Sequence, residues 1–403
     1  MLLKLALRNI FRQRIRTAMT LIAISFGVAG LILAGGFVKD IFTQLGEAII
    51  HSQTGHVQVF RQDYLERGTR QPDRFLIEDP ASLAGQIEAL PGVDAVTARV
   101  GFAGLLNNGR RDLGIIGEGV EPDKEAAFST YLRIIAGRHL TSADQFGMML
   151  GQGVAHALGL EPGDMVTLVL NTTDGALNTL DAEVVGIFQS FSKDFDARAV
   201  RIPLAAAQDL LGTSGANMLV VGLHHTRDTD RAYETIRTLL PAGLDARNWR
   251  ELSDFYEKTL LLYERQFGVL QLIILFMVLL SVANTVNMST FERLPEFGTL
   301  QALGNRQRDV FRMILVENTL LGLIGAALGV LAGIALALAI STIGIPMPPP
   351  PNANLGYTAY IRIDLATALS AFLVGFAAAT LAALLPARRV SSTPIVDALR
   401  QGT

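Results

Sequence analysis

The chain has 403 residues, half of them hydrophobic, with 37 acidic and 34 basic side chains and a net charge of −3. It contains no cysteine, which excludes disulfides, thiol nucleophiles and Cys-ligated zinc or iron–sulfur centres. The mean hydropathy of +0.36 is high for a soluble protein, and no basic face of the nucleic-acid type is present.

Residues 1–16 set Leu2, Leu3, Leu5, Ile10, Phe11 and Ile15 among Lys4, Arg8, Arg12, Arg14 and Arg16 at roughly helical spacing. This pattern predicts an amphipathic elbow helix on the inner membrane surface; a plain extension of the first span is the simpler reading. Residues 17–39 make the first span. Its core, 17–38, has no Asp, Glu, Lys or Arg and reaches the ~20 residues that cross a ~30 Å hydrocarbon layer. It is also longer than the ~7–15 residues of a signal-peptide apolar region, so an uncleaved anchor is expected.

Residues 40–265 have ordinary globular composition, with 31 acidic and 20 basic side chains; the rest of the chain has 6 and 14. An acidic domain thus hangs on a basic membrane skeleton. Strands are expected at 57–60, 93–100, 113–116, 165–170, 182–188, 199–202, 218–223 and 245–249. Helices are expected at 81–90, 148–160, 204–211 and 230–240. The first of these elements read as a βαβ-like unit, and a middle lobe is expected at about 125–215. All six histidines lie in this block. His224 and His225 are adjacent in or near a strand, which turns them to opposite faces and away from a shared metal. Ser190 and Ser192 lack a Gly-x-Ser-x-Gly elbow. The acids are scattered as on a solvated surface, so a folded, non-catalytic domain is expected.

The second span covers 266–289, followed by an inner loop at 290–312. The third span covers 313–343, followed by an outer loop at 344–364 with a run of four prolines. The fourth span covers 365–386, and 387–403 form the tail. Basic residues before the first span, in the 290–312 loop and in the tail put those segments inside. The expected fold is an α-helical membrane protein with four transmembrane helices and an α+β domain inserted between helices 1 and 2.

No Gly-Lys dipeptide occurs, so no G-x-x-x-x-G-K phosphate loop exists to bind ATP. No ionisable group sits near mid-span, as ion coupling would require. Any work is therefore powered by another subunit. The loop segment 291–304 looks built to receive one. Pro295 suits a helix start and Gly304 a stop, Glu292, Arg293 and Glu296 supply charge, and Phe297, Leu300 and Leu303 form an apolar stripe. A partner's groove or lipid would cover that stripe. Glu317, at the inner edge of span three, is expected to pair with Arg312, Arg388 or Arg389. Gly325, Gly329 and Gly333, four residues apart, make a face for close helix approach, or else reflect the abundance of glycine in membrane spans.

At these residues the chain resembles the FtsX-like permeases of ABC transporters, the architecture shared by MacB and the lipoprotein-releasing Lol permeases. The segments that carry the likeness are Leu5-Ala6-Leu7-Arg8-Asn9, Glu292-Arg293-x-x-Glu296-Phe297-Gly298-x-Leu300-x-Ala302-Leu303-Gly304, Glu317-x-x-Leu320-Leu321-Gly322 and Pro386-Ala387-Arg388. In the outer domain, Leu90-Pro91-Gly92-Val93 and Leu158-Gly159-Leu160 are also similar. Gln301 and Phe297 depart from the usual arginine and isoleucine.

The resemblance implies a MacB-type periplasmic core domain, a bacterial inner-membrane location with both termini cytoplasmic, and no enzymatic activity. It implies no cofactor on this chain, with ATP and Mg on a partner. Implied partners are a cytoplasmic ABC ATPase dimer, a second permease copy (identical or homologous) and membrane lipid, with a periplasmic lipoprotein or a fusion protein beyond. Glu292–Gly304 becomes the coupling helix. Gly36-Phe37 and the Gly55–Val59 strand are similar to the lipoprotein-releasing branch. MacB-like efflux, or FtsX-like mechanotransmission to a periplasmic partner, is the alternative.

Overall fold

The computed structural model describes residues 14–68, 75–349, 356–395 and 398. Most of the expected elbow helix, part of the proline run and the end of the tail lie outside them. Four helices among the described residues are long and apolar enough to cross a membrane: Thr17–Thr54, Tyr256–Glu292, Gln307–Ile343 and Leu365–Ser391. The chain divides into two compact units. One comprises Met1–Phe42, Thr259–Pro346 and Thr358–Thr403; the other comprises Thr43–Lys258 with Met347–Tyr357.

The helical unit is built from α1 (Arg14–Ile49) as far as Phe42, α9 (Asp254–Glu292) from Thr259 on, α10 (Leu294–Ala302), α11 (Gln307–Ile343) and α12 (Leu365–Ser391). Apolar burial separates helices from lipid only weakly, so small residues and close contact must hold them together. The core shows this division. Ile24, Val28, Leu31 and Ile32 of α1 meet Ala326 of α11 and Ala371, Ala378, Ala379, Ala382 and Ala383 of α12. The glycine face of α11 meets the chain's own first span. A Cβ on Gly325 would lie 3.0 Å from Ile24, one on Gly329 2.7 Å from Val28, and one on Gly333 3.1 Å from Ala29. Ser25 Oγ donates to the Gly325 carbonyl at 2.8 Å. At the other end of α1, buried Asp40 accepts from the Tyr360 N–H and the Arg362 guanidinium, each at 2.8 Å.

The second unit contains one ten-stranded sheet. Its strands are β1 (Val57–Arg61), β2 (Val93–Asn107), β3 (Asp112–Val120), β4 (Arg133–Gly137), β5 (Gly147–Gly151), β6 (Met165–Asn171), β7 (Leu177–Gln189), β8 (Ala199–Pro203), β9 (Met218–Leu223) and β10 (Leu244–Asn248). The pairings β2–β3–β8–β5–β7–β6 return from β6 to β2, so six strands close into a barrel. The expected middle lobe, about 125–215, shares this sheet, because β8 pairs with β3 and β6 with β2.

The βαβ-like unit takes a split form. β1 and β2 are both antiparallel to β9, which lies between them, and α2 (Pro80–Glu88) makes the crossover. The helix expected at 148–160 is in fact strand β5 followed by α4 (Gln152–Leu158). Met148-Met149-Leu150 is buried on both faces, and a short continuous apolar run fits either helix or strand.

His56 is buried beside β9 and takes the neutral tautomer with the proton on Nε2. The Leu223 N–H donates to Nδ1 at 3.1 Å, and Nε2 lies 3.1 Å from Thr226 Oγ1. Burial, then the neighbouring His51, pushes the ring's pKa down from 6.5 to about 4. A ring that resists protonation when folded stabilises fully above pH 6.5, and that stability is lost as pH falls from 6.5 to about 4. The loss amounts to about 3 kcal/mol. Trp249, the only tryptophan, is buried against Gly46 and Tyr256 of this unit and reports its unfolding. The denaturation midpoint by Trp249 fluorescence is expected to drop more between pH 7 and 4.5 in the wild-type protein than in His56→Gln. Equal drops would show that His56 does not set the dependence.

Candidate functional site

The loop between α9 and α11 folds as α10, with Pro295 in its first turn and Gly304 at φ 101° beyond its end. The apolar stripe does not stay on one face. Leu294 and Phe297 are buried in a cluster with Val310, Met313 and Ile314 of α11 and Ala387 and Val390 of α12. Leu300 packs at the margin of this cluster, while Leu303 is 79% exposed. A three-residue repeat lags the 3.6-residue turn, so the stripe drifts ~60° per step and ~120° from Phe297 to Leu303. The expected single surface is therefore two: an anchor at Phe297 and an exposed apolar tip at Leu303.

Glu317 pairs with Arg293, and not with Arg312, Arg388 or Arg389. Arg293 Nη1 donates to both Glu317 oxygens, at 2.9 and 3.0 Å, and both side chains are nearly buried. The reason lies in helix phase. Ile314, Glu317, Asn318 and Leu321 share the buried face of α11, whereas Arg312 is five residues back, ~140° around the helix. Arg388 and Arg389 are exposed. Arg293 Nε also donates to Glu296 at 3.2 Å, and its guanidinium lies 5.1 Å from the Phe297 ring centre. One arginine thus ties the entry of α10 to α11 and to its own anchor residue.

Next to this pair is a polar cavity of about 30 Å³ walled by Thr20, Thr285, Ser289, Thr290, Glu317 and Asn318. A space of this size, with these hydroxyl and amide groups on its wall, is large enough for one ordered water. Glu292 and Glu296 face outward. Gln301 Nε2 donates to the Ser391 carbonyl at 3.2 Å, fixing the far side of α10 to α12. A cleft of about 560 Å³ follows, lined by Gln301, Asn305, Arg306, Arg308, Thr393 and Ile395.

The acids of the outer unit are not all on a solvated surface. Glu125 of α3 (Pro122–Phe128) is buried with Arg99 and Arg201, and Glu118 lies beside them. Burial would raise the Glu125 carboxyl, but Arg99 and Arg201 hold it below its ordinary value. The sequence signal was one arginine within each of two expected strands, 93–100 and 199–202. Groups of His, Asp and Glu suited to a metal ion do not occur among the described residues.

Residues 17–239 match the family model of the MacB-like periplasmic core domain, and residues 268–395 match the FtsX-like permease C-terminal model. The lipoprotein-releasing system transmembrane protein LolC of Neisseria meningitidis is 24% identical over 98% of this chain and 95% of its own length. The macrolide export ATP-binding/permease protein MacB of Sodalis glossinidius is 24% identical over 83% of this chain and 52% of its own length. The chain spans about half the length of some of the curated relatives it matches. The periplasmic region of MacB from Actinobacillus actinomycetemcomitans matches 52% of this chain and 95% of that structure, at 16% identity and a TM-score of 0.38.

Proposed function

Because the chain belongs to the ABC transporter permeases built from a MacB-like periplasmic core domain and an FtsX-like permease domain, we propose that it carries ATP-driven motion from a cytoplasmic ATPase to a periplasmic domain. It does so from the inner membrane, with both termini in the cytoplasm and paired with a second permease copy. The observation that supports this most is the seat of α10. The helix is anchored inward through Phe297 and Arg293 and presents Glu292, Glu296 and Leu303 outward. A partner pushing on that outer face would move α11 and α12 with it.

Glu292, Arg293, Pro295, Glu296, Phe297, Leu300, Leu303 and Gly304 are accordingly the ATPase-coupling residues, and ATP and Mg stay on the partner. Lipoprotein release is the first reading of the cargo, supported by the alignment that runs through nearly all of LolC. Efflux is the second, supported by the MacB alignments.

The chain is expected to copurify with a cytoplasmic ATPase. Glu292→Lys with Glu296→Lys should weaken that association about tenfold and lower transport per ATP hydrolysed, while the outer unit stays folded. Unchanged association and unchanged transport would remove the coupling assignment. The side of the outer unit is tested by labelling a cysteine placed at Asp123, which should react with a membrane-impermeant reagent only from the periplasm.

A further inference from the structure

Arg99 on β2, Glu118 on β3, Arg201 on β8 and Glu125 on α3 meet inside the outer unit. Arg99 reaches Glu125 at 2.7 and 3.2 Å and Glu118 at 3.7 Å. Arg201 reaches Glu118 and Glu125, each at 3.1 Å. Ser129 Oγ donates to Glu125 at 2.8 Å and accepts from Arg201 at 3.0 Å. Two positive and two negative groups therefore balance, in a site that water barely enters.

The guanidiniums have donors to spare, and these converge on one place. Arg99 Nη1 donates to the Gln53 carbonyl at 2.6 Å and Arg201 Nη2 to the Ser52 carbonyl at 3.3 Å. Both carbonyls belong to the π-turn Ile50–Thr54, which prolongs α1 without a break. The last carbonyls of a helix have no partner within it and carry the negative end of its dipole. Here two buried cations on two strands of the barrel satisfy them.

Desolvating four charges is costly, and apolar side chains of the same volume commonly hold a fold as well or better. Stability alone therefore does not account for the cluster, whereas its geometry does. We infer that Arg99 and Arg201 are positioning residues that socket the outer end of α1 into β2 and β8, so that displacement of that helix is delivered to the barrel. The inference rests on the proposed relay, but its first readout does not.

The test uses the full chain with its copurified ATPase in nanodiscs. In one variant, Arg99→Met, Arg201→Met, Glu118→Leu and Glu125→Leu are made together. The Trp249 unfolding midpoint is expected to hold or rise. Hydrogen exchange over 50–56 should speed up by roughly tenfold, the scale of one lost charged hydrogen bond. Transport per ATP hydrolysed should fall. Unchanged exchange, or faster exchange with transport intact, overturns the socket. If the fourfold variant does not fold, Arg99→Lys and Arg201→Lys are measured in the same way. They keep the charge but lose the fork that serves carboxylate and carbonyl together, so faster exchange supports the socket and unchanged exchange overturns it. Failure of the wild-type chain to bind any ATPase would remove the proposed function and leave the exchange result standing.

Discussion

Arg293→Ala is expected to destabilise the helical unit by about 3–5 kcal/mol, the scale of breaking a buried ion pair by removing one partner. The side chain has three attachments: both oxygens of Glu317, one oxygen of Glu296 and the face of Phe297. Removing it takes the guanidinium away from the Glu317 carboxylate on α11. It also frees the first turn of α10. The decisive comparison is the double variant. Arg293→Ala with Glu317→Ala removes the carboxylate as well, so its thermal aggregation midpoint in detergent should recover at least half of the loss. Additive losses would mean that the two groups do not depend on each other. Arg293→Lys should give an intermediate value, because an ammonium supplies a point charge without the planar fork.

Gly329→Leu should force α11 away from α1. The added Cβ alone would sit 2.7 Å from Val28 and 2.9 Å from the Ser25 backbone. A backbone neighbour cannot swing aside, so α11 must retreat from α1. Overpacking of this kind costs typically ~1–3 kcal/mol, and Gly329→Ala should show a smaller part of the same effect. Gly30→Leu is the matched control, since a Cβ at Gly30 meets nothing within 4 Å. It should leave the aggregation midpoint within about 0.5 kcal/mol of the wild-type protein. If Gly329→Leu is as mild as Gly30→Leu, the α1–α11 contact is not what closes the bundle.

Local order was legible in the sequence wherever one residue type decides a local geometry. Leu204–Leu211 and Met218–Leu223 fall on the residues expected. Pro295 sits in the first turn of its helix, and Gly304 takes a positive φ just beyond its end. What stayed hidden is pairing across distance. Nothing local tells that β9 lies between β1 and β2, or that β6 closes onto β2. The same holds for the site. Glu317 was marked as a charge in need of a partner, but the partner lies 24 residues away. Only the crossing of two helices with a short third one brings them together. The buried network of Arg99, Glu118, Glu125 and Arg201 went unread because a charged residue in a strand looks the same whether it faces water or another charge.

Closure of the six strands has a mechanical meaning. An open sheet can splay or change its twist at little cost, because only its edges are unpaired. A ring has no such soft mode: to deform it, ladder hydrogen bonds must break. The barrel therefore answers a load as one stiff body. Compliance is left to the loops at its rim and to β4 and β10, which among the described residues are each paired on one side.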